Sequence, residues 1–258
     1  MITTAMVMAA GHGTRMRPLT NDRSKAMVEV KGCPLIDHML ARLADIGIER
    51  AIINVHAHAD HLEAHLKARR QGPEIIISDE REALFETGGG VVKALPLLGG
   101  FPILICNIDA IWLPFEPVLE HLLSNWKPAK MDELLLCARA EWSLGYAGKG
   151  DFNIHQDGRM TRRTGASADH VYAGVQIFKP SLAKPFKLEA FSRNKIWDES
   201  LKRKKLFGTQ LPGYWMHVGD PRAVTAAEAV LEQARILGPN VLGSNVVLGS
   251  NVVLGPDV

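Results

Sequence analysis

The run Met6-Val7-Met8-Ala9-Ala10 is short and wholly apolar, and it stops at Gly11-His12-Gly13. A run that short, ended by glycine, fits a strand buried on both faces. Such strands belong to parallel sheets that carry helices on either side. The N-terminal half repeats the pattern. Residues 34–46 (PLIDHMLARLADI) place apolar side chains at helical spacing, with Pro34 suited to the first turn and Gly47 to the stop. Residues 51–55 read as a second strand, and Asp60 as the cap of a helix reaching Leu66. Residues 74–77 form a third strand, residues 90–98 a short helix and residues 102–106 a fourth strand. Alternation at this spacing predicts right-handed βαβ units in a Rossmann-like α/β fold, with a mixed, mainly parallel sheet flanked by helices.

The pattern loosens after Leu134. Residues 134–137, 152–155, 160–163 and 171–178 read as strands, and residues 196–205 and 224–237 as helices. This half reads as mixed sheet laid beside the first. The expected organisation is one domain over residues 1–237, with one half to residue 130 and a second half from residue 131. Residues 238–258 differ. Leu242-Gly243-Ser244-Asn245-Val246-Val247 is followed by Leu248-Gly249-Ser250-Asn251-Val252-Val253. A period of six is the mark of a β-helix, but one coil cannot bury its own core. The tail is therefore expected to be a left-handed β-helix stub that needs a partner surface, and self-association is one way to supply it.

Bulk properties exclude several function classes. The 258 residues are 47% hydrophobic and 22% charged, enough for a stable core without staples. Net charge is +2 with no long basic tract, so nucleic acid is not an expected partner. No apolar stretch approaches the ~20 residues of a membrane span. Three scattered cysteines (Cys33, Cys106, Cys137) form neither a metal spacing nor a disulfide framework. A soluble cytoplasmic protein is expected.

The first loop carries the chemistry. A parallel strand that ends in glycines is where α/β sheets bind ligands. Glycines let backbone N–H groups approach an anion. Arg15 adds a planar fork suited to phosphate oxygens, and Lys25 a compact charge. A P-loop would need Gly-Lys-Ser/Thr, and a dinucleotide fingerprint a third glycine; neither is present. Glu86-Thr87-Gly88-Gly89-Gly90 follows a probable strand and opens a helix; it suits a flat base lying on backbone, with Thr87 as an alternative N-cap. Asn107-Ile108-Asp109 ends the fourth strand, where an acid beside a phosphate site is a natural Mg²⁺ ligand. Asp220 suits the N-cap of the final helix. His56, His58, His61 and His65 lack an acid-rich shell and read as a surface face.

The string Gly11-His12-Gly13-Thr14-Arg15-Met16-Arg17-Pro18-Leu19-Thr20, followed by Ser24-Lys25, resembles the signature of the sugar-phosphate nucleotidyltransferases. Ser24 stands where that family has proline. "FETGGGVVKALPLLG" (residues 85–99), "GKGDF" (148–152) and "AGVQIFKPSL" (173–182) resemble segments of bacterial N-acetylmuramate 1-phosphate uridylyltransferases. The resemblance covers roughly residues 6–232. It implies an enzyme that makes an NDP-sugar and pyrophosphate from an NTP and a sugar 1-phosphate. Within the group these are UTP and N-acetylmuramic acid 1-phosphate, in cell-wall recycling. A mannose-1-phosphate guanylyltransferase, another sugar-1-phosphate nucleotidyltransferase and a non-catalytic nucleotide-sugar-binding regulator are the alternatives.

The resemblance also implies residue roles. Arg15 and Lys25 are catalytic. Ala10, Gly11, Gly13, Thr14, Glu86, Thr87, Gly88, Gly89 and Asn107 bind nucleotide. Asp151, Gly174 and Asn194 lie by the sugar, and the Arg193-Asn194-Lys195 cluster either meets the sugar phosphate or forms a solvated loop. Asp109 and His217 hold Mg²⁺, with Mn²⁺ as the alternative. His217 occupies a position where the family carries an aspartate, and Ile108 one where it usually has a small residue.

Overall fold

The computed structural model describes residues 1–237 and, beyond them, residues 247–248 and 252–253. In chain order the main elements are β1 (Thr4–Met8), α1 (Leu35–Asp45), β2 (Arg50–Val55), α2 (Ala59–Ala68), β3 (Glu74–Asp79), α3 (Glu86–Leu98) and β4 (Ile103–Asn107). Next come β5 (Ala110–Pro114), α4 (Val118–Ser124), β6 (Glu133–Arg139), β7 (Phe152–Ile154), β8 (Met160–Arg162) and β9 (His170–Phe178). The last are α5 (Asn194–Lys202), β10 (Leu206–Gln210), β11 (Gly213–His217) and α6 (Pro221–Leu237).

The N-terminal half follows the alternation. Strands β3, β2, β1 and β4 lie side by side and parallel. Successive side chains of β1 enter opposite faces: Ala5 and Val7 pack with Leu40, Leu43 and Leu62, and Met6 packs with Val91, Leu98 and Phe178. The strand is thus covered on both sides, as its unbroken apolar run requires. Helix α1 buries Leu35, Ile36, Met39, Leu40 and Leu43 as one stripe. It stops where Gly47 takes φ 77° and its N–H reaches Ala44 O, while Ile48 N reaches Leu43 O. That pair of bonds is a Schellman stop.

The second half is antiparallel against the first. β9 pairs β4 and β6 antiparallel, β7 joins β9 and β8 in the same sense, and β10 is parallel to β6. The nine-stranded sheet is therefore mixed: its parallel run sits in the N-terminal half. A small second sheet pairs β5 with β11, with Ser143–Leu144 along the other side of β11.

Of the main elements named above, β5, α4, β10 and β11 have no counterpart in the sequence expectation. The helix expected over 196–205 ends at Lys202, because Lys204 takes φ 57° and Lys205 N bonds Ser200 O. Asp60 does not cap α2. The helix starts at Ala59 after His58, and the Asp60 carboxylate, lying in the first turn, accepts from Arg81 Nη2 at 2.7 Å. Asp220 does cap α6, accepting from Ala223 N at 2.9 Å. In the tail, Val247–Leu248 pairs antiparallel with Val252–Val253. The other hexapeptide positions, and with them the β-helix stub, lie outside the described residues.

Candidate active site

The carboxyl ends of β1 and β4 are adjacent, because Met8 pairs with Asn107. A cavity of about 360 Å³ opens there. Its wall includes Ala10, Gly11, Lys25, Glu86, Thr87, Asn107 and Asp109, seven of the residues singled out from the sequence. A Cβ on Gly11 would meet nothing within 4 Å, so its backbone faces open space. Gly13 is needed for a different reason. It holds φ 63°, and a Cβ would come 3.0 Å from Lys25 Cβ and 3.1 Å from Thr20 Cγ2. Its carbonyl accepts from Thr20 Oγ1 at 2.8 Å and Met16 N at 2.9 Å. Gly13 therefore shapes the loop rather than the cavity wall. Thr14 and Arg15 follow it on one exposed 3-10 turn, Thr14–Met16.

Lys25 is held by the next turn. Ser24, standing where the resembled family has proline, is buried and caps that turn through Ala26 N at 3.3 Å. A hydrogen bond thus supplies local order in place of a ring. Lys25 Nζ donates to Asp109 Oδ2 at 2.6 Å, with both side chains largely enclosed. His217 arrives through the small sheet, whose register sets it opposite Ala110. Its Nδ1 lies 3.8 Å from Asp109 Oδ2. A Cβ on Gly219 would sit 2.6 Å from His217 Nε2, so that glycine makes room for the ring. Ile108 is buried in the cavity wall. It does not keep Asp109 from the site.

The charges at this point act on one another. Burial disfavours the Asp109 carboxylate, but the Lys25 ammonium and the His217 ring outweigh it and hold the carboxyl below its ordinary range. Burial pushes His217 below its ordinary value; Asp109 opposes this, while Lys25 and Arg15 add to it. The net effect favours the uncharged imidazole. Asn107 Oδ1 is buried without a hydrogen-bond partner, an acceptor at the cavity wall that a ligand N–H or O–H would satisfy.

Gly88, Gly89 and Gly90 lie among the first five residues of α3, and the first two meet the 189–191 segment. Gly88 N and Gly89 N donate to Phe191 O at 2.8 and 3.3 Å. A Cβ on Gly88 would sit 2.3 Å from the Phe191 ring, and one on Gly89 would sit 2.0 Å from Glu189 O. They are small because α3 packs directly on the 189–191 segment. Thr87 is not an N-cap. Helix α3 starts one residue earlier, and Thr87 Oγ1 accepts instead from Arg193 N at 2.9 Å.

Of the residues expected by the sugar, Gly174 comes nearest. It sits at φ 89° where the β9–β6 register shifts, and a Cβ there would lie 2.7 Å from Ala110 Cβ and 3.4 Å from Asn107 Cβ. Asp151 accepts from Tyr172 N at 3.2 Å, and Asn194 Oδ1 from Arg162 Nη1 at 3.2 Å; neither lines the cavity. Arg193 is no solvated loop residue. It is 3% exposed and lies over the rings of Tyr172 and Trp197. His56 Nδ1 meets Glu80 O at 2.7 Å and His65 Nε2 meets Asp37 Oδ2 at 2.8 Å, so these two histidines tie the fold. Among the described residues, no three His, Cys, Asp or Glu side chains cluster as a metal site.

Sequence reasoning missed Asn54, Leu84 and Ser192 in the cavity wall. One signal was available: Asn54 is the only polar residue in the run Ala51-Ile52-Ile53-Asn54-Val55.

The nucleotidyl transferase family model matches residues 4–142. The chain is 46% identical to the N-acetylmuramate alpha-1-phosphate uridylyltransferase of Caulobacter vibrioides over 235 residues, 89% of this chain and 97% of that one. It is 29% identical to the enzyme of that name from Neisseria meningitidis, over 88% and 97% of the two chains. A solved UDP-glucose pyrophosphorylase in complex with UDP-glucose superposes with a TM-score of 0.76 at 17% identity, over 91% of this chain and all of that one. No helix among the described residues is long and apolar enough to cross a membrane. The phosphate-suited loop, the enclosed Lys25–Asp109 pair and these matches lead to one conclusion: the chain belongs to the nucleotidyl transferase family and is an enzyme of it.

Proposed function

We propose that the cavity joins an NTP to a sugar 1-phosphate, releasing pyrophosphate, and that the natural pair is UTP and N-acetylmuramic acid 1-phosphate. The observation that carries the reaction class is Lys25 Nζ on Asp109 Oδ2, 2.6 Å apart, beside the open backbone of Gly11. The substrate pair rests on the 46% identity to the Caulobacter vibrioides uridylyltransferase along 97% of its length. Nucleoside triphosphates and wall-derived sugars meet in the cytoplasm, where we place its work.

The chemistry is a single in-line displacement. An oxygen of the sugar phosphate attacks the α-phosphorus of the NTP. The bond from that phosphorus to the bridging oxygen of the β-phosphate breaks, and pyrophosphate leaves with the electron pair. The protein forms no covalent intermediate. It positions the two phosphates and offsets charge, as phosphoryl transfer requires. Ala10, Gly11 and Thr14 hold the phosphates through the loop backbone, in the conformation that Gly13 sets. Arg15, exposed at the loop's lip, meets the leaving pyrophosphate. Lys25 meets the charge that builds at the α-phosphate. Glu86, Thr87 and the unpaired Asn107 acceptor face the nucleoside, while Gly88 and Gly89 hold that wall in place. Gly174 keeps the floor beside Asn107 thin on the sugar side, and Asp151 and Asn194 support the strands around it.

Asp109 and His217 would hold a divalent ion, with substrate phosphate oxygens as its other ligands. Mg²⁺ takes a carboxylate or two and keeps its remaining positions for phosphate and water, and an imidazole adds affinity for Mn²⁺. Bound there, the ion would supply positive charge against the substrate phosphates. Pyrophosphate release measured over four NTPs against a panel of sugar 1-phosphates tests the proposal. The highest kcat/KM is expected for UTP with N-acetylmuramic acid 1-phosphate. A preference for GTP with mannose 1-phosphate would overturn the substrate pair.

A further inference from the structure

Asn54 and Glu80 form a buried row that crosses three strand ends beneath the cavity. Ala9 N, just past β1, donates to Asn54 Oδ1 at 2.7 Å. Asn54, near the end of β2, donates from Nδ2 to Glu80 Oε1 at 2.8 Å. Glu80, just past β3, accepts at Oε2 from Phe85 N at 3.2 Å. Phe85 directly precedes α3 and the Glu86-Thr87 wall. Glu80 is 0% exposed and Asn54 2% exposed. Gly90 leaves the space for them, since a Cβ there would lie 2.9 Å from Glu80 Oε1 and 3.2 Å from Asn54 Nδ2. Glu80 is itself pinned: its N–H donates to Val55 O at 2.8 Å, and its carbonyl accepts from Ala83 N at 3.1 Å and from His56 Nδ1 at 2.7 Å.

The chemistry of the row dictates its residue types. Both groups that face the Glu80 side chain, Asn54 Nδ2 and Phe85 N, are donors. A buried side chain that must offer two acceptors at once is a carboxylate; an amide offers one. Burying that charge is costly, and core packing alone would favour an apolar side chain. The row joins the phosphate loop, which starts at Ala9-Ala10-Gly11, to the Phe85-Glu86-Thr87 segment on the opposite wall. We propose that Asn54 and Glu80 are positioning residues that fix the separation of these two walls, and so set the site for the nucleotide before it binds. The inference rests on the nucleotide reading of the cavity.

The test is a polarity swap. Glu80→Gln leaves one of the two donors facing an NH₂ group. Asn54→Asp sets a carboxylate oxygen against Glu80 Oε1. In the double variant the new amide donates to the new carboxylate, while the remaining oxygens still accept from Phe85 N and Ala9 N. Every hydrogen bond and the net charge are restored. The measurements are calorimetric binding of each of the four NTPs, KM for NTP and for sugar 1-phosphate, and melting temperature. Each single variant should weaken NTP binding about tenfold, the effect of one lost charge-assisted hydrogen bond, with KM for sugar 1-phosphate little changed. The double variant should recover NTP affinity. Gly90→Ala, whose methyl presses on Glu80 Oε1, gives an independent route to the same loss. Single variants that melt earlier yet bind NTP like the wild type would overturn the proposal, as would additive losses in the double variant. The binding arm needs no turnover. A wild type that binds NTP without transferring it would overturn the proposed reaction and leave this comparison standing.

Discussion

Gly89→Ala separates a packing glycine from a base-binding one. Its Cβ would lie 2.0 Å from Glu189 O, a backbone atom that cannot swing aside. The start of α3 must therefore part from the 189–191 segment. Three hydrogen bonds span that seam: Gly88 N and Gly89 N to Phe191 O, and Phe191 N to Phe85 O at 3.2 Å. At about 1 kcal/mol net each their loss costs about 3 kcal/mol. Alanine returns about 1 kcal/mol of helix propensity, so the net cost is about 2 kcal/mol. For a chain of this size that lowers Tm by roughly 5 °C. Urea unfolding read by circular dichroism measures it, with NTP binding measured below the transition. An unchanged midpoint together with a selective loss of NTP affinity would refute the packing account and return Gly89 to the nucleotide surface.

Arg15→Ala and Lys25→Ala should each lower kcat about 10²–10³-fold, the effect of removing one preorganised contact to transition-state charge; near-normal kcat in both would reject their roles. His217→Asp should move the metal preference measured by titration with NTP present from Mn²⁺ toward Mg²⁺, because carboxylate is the harder donor. An unchanged preference with a lower Tm would mean that the imidazole only packs. Glu133 is wholly buried, and burial raises its carboxyl to about 7, with bonds from Ser200, a nearby Arg193 charge and a bond from Gln176 only partly opposing it. Because the folded value exceeds the ordinary 4.5, the protonated form stabilises the fold fully below pH 4.5, and that stability is lost as pH rises through 7. The span corresponds to about 3 kcal/mol. Glu133→Gln should therefore remove a fall in stability between pH 5 and 8 that the wild type shows in denaturant unfolding; parallel curves for the two proteins would contradict the buried-charge account.

How much of this was legible in the chain depends on the range of the interaction. The β1 strand and the α1 stop at Gly47 were readable because apolar runs and glycines act locally. The end of α5 was not, because Lys204 adopts the left-handed backbone without the glycine that signals it. Strands β5 and β11 escaped for another reason. Each is stabilised by the other, about a hundred residues away in sequence, and that pairing is what brings His217 to Asp109. The loop cations Arg15 and Lys25 stand out through their motif. Asn54 and Glu80 have no motif, and their partnership appears only when three strand ends are laid side by side. The glycines at 88 and 89 stand out in the sequence, but the segment they pack against lies a hundred residues downstream, which the sequence does not bring near.

The central claim is that this cavity transfers a nucleotidyl group directly between two phosphates. ³¹P NMR of a reaction containing the enzyme, a divalent ion, UTP and N-acetylmuramic acid 1-phosphate tests it most directly. The account predicts that the UTP and sugar phosphate resonances fall together while a UDP-sugar and pyrophosphate appear in equal amounts. It also predicts that nothing changes when the sugar phosphate is omitted, and that Asp109→Asn abolishes the conversion. Cleavage of UTP without the sugar phosphate, or full conversion by Asp109→Asn, would contradict it.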